Sequence, residues 1–130
     1  MISSKPLYHA KYLLEEIYPV LNDTKMLLVI FHQITDYFSN LFSSLHVFES
    51  SLSLREQFIQ IKDEFLPEDI AQIEQIIRLQ EVYEESSVAF SRKEKFLFSD
   101  DSYDFSELSS EKLKTILSFA FTLHTKRFLH

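Results

Sequence analysis

A chain of 130 residues, 45% of them hydrophobic, is long enough to close one core without staples. It has no glycine, on which phosphate-cradling loops, dinucleotide fingerprints, nucleophile elbows and primed hairpin turns rely for positive φ or close backbone approach. Without cysteine it forms no disulfide, thiolate nucleophile or cysteine-ligated metal centre, and a net charge of −7 disfavours non-specific binding to nucleic acid.

What remains is an all-α fold: a five-helix, largely up-down bundle over residues 1–130 as a single domain, with a long helix two at its centre. The first helix is predicted over about residues 6–18, because Pro6 suits a first helical turn and Leu7, Ala10, Leu14 and Ile17 form an inner stripe. Pro19 is expected to end or kink it, and Asn22 or Asp23 to cap the next. Helix two is predicted to reach about Ser50. Leu27, Phe31, Ile34, Phe38, Leu41, Leu45, Phe48 and Leu52 follow in alternating steps of four and three, laying an apolar stripe along one face. A polar stripe of His32, Asp36, Ser39, Ser43, His46 and Ser50 runs opposite.

Ser53 and Glu56 stand at capping-box spacing, so a third helix follows, burying Leu54, Phe58, Ile61 and Phe65 up to Pro67. Glu68 and Asp69 suit the positive end of a fourth helix, whose inner face is Ile70, Ile73 and Ile77, with Ile76 and Tyr83 beside them. It is expected to fray over 84–87. Helical period is lost over 88–105, which predicts an irregular segment before the last helix. That helix restarts at Ser109, with Leu108 and Leu113 at the two positions of a hydrophobic staple, and continues through Ile116, Leu117, Ala120, Phe121 and His124.

The opening residues 1–6 lack the apolar run of a signal peptide. The longest unbroken apolar run, 26–31, falls far short of the roughly 20 residues that cross a bilayer. The expectation is a cytoplasmic protein with no membrane association.

Histidine–carboxylate pairs are the first candidates for metal chemistry. His32 with Asp36, and His46 with Glu49, share helical faces. Yet no glutamate has a histidine three positions after it, as carboxylate-bridged di-iron bundles require. No serine stands in a strained turn beside a histidine, and His9, His124 and His130 are expected at the surface near the ends. No catalytic residue, metal site or cofactor is therefore assigned, and the protein is read as not an enzyme. Residues 51–89 carry nine acids against three bases, a balance of −6, read as solvated helix faces. Arg92, Lys93 and Lys95 lie between Phe90 and Phe96. Bases among aromatics can hold phosphate or RNA by pairing and stacking; the plainer reading is that they neutralise the acids of helices three and four.

The segments 18–28 and 87–98 resemble two signatures of a family of small all-helical archaeal proteins with no assigned function. The first is Tyr18-Pro19, then Asp23, then Lys25 with Leu27-Leu28. The second is Phe90-Ser91-Arg92-Lys93 followed by the apolar triplet Phe96-Leu97-Phe98 and an acidic loop. Val88-Ala89 departs from the family's proline-valine-glutamate. The resemblance implies an all-helical fold and an archaeal source, and no activity. A looser likeness is to HEPN-type helical bundles, whose RNase motif sets histidine four to six residues after arginine; Arg127 precedes His130 by three, and no other arginine comes nearer.

Function is read as a non-enzymatic protein-interaction module, with a protein partner or a second copy of itself. The motive is apolar residues beyond the main stripes: Ile30, Tyr37 and Phe42 on helix two, and Phe119, Leu123 and Phe128 on helix five. The alternative is an RNA- or nucleotide-associated HEPN-like bundle without the RNase motif, using Arg92, Lys93 and Lys95. No DNA partner is expected.

Overall fold

A computed structural model describes residues 2–91 and 107–128, and across these it is all-helical, with no strand. Helix α1 (Lys5–Tyr12) passes through a π turn (Leu13–Ile17) into α2 (Tyr18–Leu21). Then come α3 (Thr24–Leu45), α4 (Leu54–Ile61) with a 3₁₀ turn (Lys62–Glu64), α5 (Pro67–Ser91) and α6 (Ser110–Phe128). With α1 to α2 taken as one run, the described residues form five helices. None is long and apolar enough to cross a membrane.

Of the two outcomes expected at Pro19, an end or a kink, the helix does not take the first. Proline has no N–H and its ring crowds the carbonyl four residues back, which here belongs to Glu15. The turn before it widens instead: the Tyr18 N–H reaches back five residues to the Leu13 carbonyl. The helix then continues to Leu21 and stops at Asn22, which is left-handed (φ 51°, ψ 39°) and donates its N–H to the Tyr18 carbonyl at 2.7 Å. Asparagine tolerates this conformation better than any other residue except glycine, and the chain has no glycine. Asp23 alone caps α3, accepting from the Lys25 N–H at 3.0 Å.

Helix α3 ends at Leu45, short of the expected Ser50. Ser44 donates its hydroxyl to the Leu41 carbonyl, occupying an acceptor at the helix end, and His46 is fully extended. Leu27, Phe31, Ile34, Phe38 and Leu41 are buried as the period predicts, while Leu45 and Phe48 only pack partly against the core. Helix α3 contacts α1, α4, α5 and α6. Its Phe42 stacks on Phe58 of α4 and meets Phe65 edge-on, and its Phe31 meets Tyr83 of α5.

The local start signals read correctly. Ser53 and Glu56 close a reciprocal capping box, at 3.1 Å to the Glu56 N–H and 2.9 Å from the Ser53 N–H. Ser109 accepts from the Lys112 N–H, and the staple residues Leu108 and Leu113 are both buried. Helix α5 continues past the expected fray at 84–87 to Ser91, because no glycine or proline follows Pro67 to stop propagation. Its Ile73, Ile76, Ile77, Leu79 and Tyr83 are buried, whereas Ile70 is half-buried.

Candidate functional site

Helix α6 brings its polar residues to one end of the molecule. His124 follows Ala120, Leu117 and Leu113 on the buried side of the helix, so the apolar period carries an imidazole into the core. It is 5% exposed, a correction to the expected surface position. Its Nδ1 lies 2.9 Å from the hydroxyl of Tyr37, a fully buried residue of α3. Burial pushes the Tyr37 hydroxyl well above its ordinary pKa, against a smaller opposing pull from the Arg127 charge, and holds His124 below the usual imidazole range. Both groups are therefore neutral at pH 7 and share one hydrogen bond, whose direction is set by the imidazole tautomer. Such a pair fastens two helices and is closed to substrate.

One turn further, α6 meets the start of α5. Lys126 donates to the nearly buried Asp69 carboxylate at 2.7 Å. Arg127 donates to the Glu64 carbonyl at 3.0 Å and lies over the Phe65 ring, 4.8 Å from its centre. With Leu66 and Phe128 these residues line an open cleft of about 380 Å³. Every cation in it already has a partner within the protein. Phe128 also packs on the His124 ring, centroids 5.0 Å apart, joining the cleft to the buried pair.

The sequence-predicted candidates fare differently. His32 and Asp36 do share a face of α3, but His32 Nε2 is buried without any hydrogen-bond partner, and Asp36 is exposed. Burial lowers the pKa of His32 and keeps it neutral. His46 lies beyond the end of α3, its ring against Phe48, so it shares no helical face with Glu49. Among the described residues no three His, Asp or Glu gather where they could hold a metal ion. Arg92, Lys93 and Lys95 lie outside the described residues, as do Phe96 and His130. Two acids of α5 have other partners: Glu81 takes Arg55 of α4 through two hydrogen bonds, and Glu74 lies 3.6 Å from both Arg55 and Lys62.

The apolar surplus also needs correction. Ile30, Tyr37, Phe42 and Leu123 are core residues, and Phe119 and Phe128 pack partly against the core. Large apolar exposure lies elsewhere, foremost on the first helical run: Tyr8 is 59% exposed, Tyr12 53%, Val20 80% and Leu21 59%. The π turn sets these in register. Residues twelve apart on an α-helix differ by about 120° around the axis. A widened turn absorbs about one residue, which leaves Val20 only about 20° from Tyr8, with Tyr12 between them along the axis. Sequence reading missed this face because it placed an end or a kink at Pro19 and expected no widened turn before it. The signal that could have revealed it is the tyrosine pair four apart, outside the inner stripe.

Comparisons with protein-family models, with curated proteins and with solved structures found no match to this chain.

Proposed function

We propose that the protein is a non-enzymatic interaction module, an up-down bundle organised about α3, which docks through the outer face of α1 and α2. The observation that carries this reading is the aligned, exposed row of Tyr8, Tyr12 and Val20, flanked by Leu21. Tyrosines offer large, stiff, amphipathic contact area and are enriched at interface centres. Tyr8 is held from behind by Phe121 of α6, which it meets edge-on at 5.0 Å.

The partner that best fits the charges is a second copy. In an antiparallel pairing about a two-fold axis near residue 13, Lys11 of each copy stands opposite Glu15 of the other, and Tyr8 opposite Tyr18 and Pro19, next to Val20. These charged side chains are exposed and free to meet across such an axis.

Light scattering at micromolar concentration tests it. A dimer is expected in both low and high salt, because apolar burial is not screened as ion pairs are. The double variant Tyr12→Ser, Val20→Ser should be monomeric with an unchanged helical signal. A wild-type protein that stays monomeric in both salts overturns the self-association reading.

A further inference from the structure

We propose that the contact between Tyr37 and His124 is an acid-sensitive clasp, whose protonation releases the last turns of α6 while the rest of the bundle stays folded. The geometry confines the effect to this end. Helix α6 is held at its start by Leu108 and Leu113 and in its middle by Ile116, Leu117 and Ala120, all buried and none ionisable. Beyond Ala120 its apolar hold is the buried Leu123 with the partly buried Phe121 and Phe128, and the rest of its described attachments are polar: His124 to Tyr37, Lys126 to Asp69, and Arg127 to Glu64 and, over its ring, Phe65.

The clasp requires the tautomer in which Nδ1 accepts from Tyr37, so that a proton there removes the acceptor and sets a second donor against the hydroxyl. The proton also places a third positive charge beside Lys126 and Arg127. The surroundings offer little to balance it. From α3 the facing group is Tyr37, which burial keeps protonated. The buried side chains of α1, Leu7 and Ala10, carry no charge. From α5 the carboxylate of Asp69 is engaged by Lys126, and from the 3₁₀ turn Glu64 offers Arg127 its backbone carbonyl. The negative end of the α6 dipole favours a cation here. Loss of water around the ring opposes it and prevails, as the lowered basicity of His124 shows.

The direction follows by linkage. An imidazole less basic in the folded state means that the opened form binds more protons below about pH 6.5, so stability of this contact is complete above that value and is lost as pH falls. An ordinary carboxylate is still charged at pH 5.5, so the loss belongs to histidine.

Hydrogen exchange at pH 7.5 and 5.5, expressed as protection factors, reads the opening of α6 separately from the buried middle of α5, which carries no histidine. Protection over residues 122–128 is expected to fall more than over 73–79 on acidification, by up to about tenfold, the ceiling that an ordinary imidazole sets at pH 5.5. In His124→Gln, whose amide oxygen can still accept from Tyr37 but does not titrate, this extra fall should vanish. Should that variant not fold, nuclear Overhauser contacts of the His124 ring with Tyr37 and Phe128 in the wild type serve instead. They should disappear along the same titration as the ring's own protonation shift. Equal loss in all helices, no selective loss in the wild type, a selective loss retained in the variant, or ring contacts that survive protonation would each overturn the clasp.

Discussion

A buried nitrogen without a partner is a cost the fold carries. His32 Nε2 on α3 is in that position, and its neutral ring contributes packing against Phe31 but no hydrogen bond from that atom. An unmet polar group of this kind costs on the order of 1–3 kcal/mol, whereas an apolar replacement of similar size leaves nothing unmet. Replacing His32 by Leu should therefore hold or raise stability, by up to about 1 kcal/mol in chemical denaturation. Phe38→Ala is expected to lose about 3–5 kcal/mol, since its side chain is enclosed by Tyr37, Phe42 and Phe119. A loss below half a kcal/mol would place that stripe outside the core. The stripe from Leu27 to Leu41 was legible in the sequence because the burial of each side chain follows from helical period alone. His124 was not. Its place in the period was visible, but what makes an imidazole tolerable there is a hydroxyl 87 residues away, and no local pattern encodes that.

At the scale of elements, signals confined to four or five residues were readable and those that depend on competition were not. The capping box at Ser53 and the serine cap at Ser109 each satisfy orphan backbone donors with their own side chains, so composition is enough to find them. Ser53→Ala should cost about 0.5–2 kcal/mol of stability, read from the shift in urea midpoint. Pro19 poses a different problem: a helix can stop, kink or widen, and which response wins depends on what the residues beyond it gain. Here the widened turn lets Tyr18 pack against the core and leaves Asn22 to make the left-handed stop. At Asn22, alanine should cost about 1–2 kcal/mol, from the Cβ clash in the left-handed region, and glycine should cost nothing. Equal losses for both would mean that the asparagine side chain, not its backbone, makes the corner.

For the molecule as a whole, the sequence disclosed how much apolar surface there was but not which of it would stay outside. Phe42 and Leu123 looked surplus to single stripes and became core once neighbouring helices closed over them, while Tyr8 and Tyr12 stayed half in water. Exposure is a property of the assembled set of helices, and it follows from packing, not period.

The long reach of the contact between Tyr37 and His124 also governs the order in which the chain can mature on the ribosome. The two residues stand 87 apart, and at ordinary synthesis rates of about 5–20 residues per second the first waits roughly 4–17 s for the second. Through that interval α3 exists without the helix that covers Tyr37, Phe38 and their neighbours. A nascent chain arrested just before residue 107 should thus be cut rapidly by protease within α3, and one extended far enough to free residue 128 from the exit tunnel should resist.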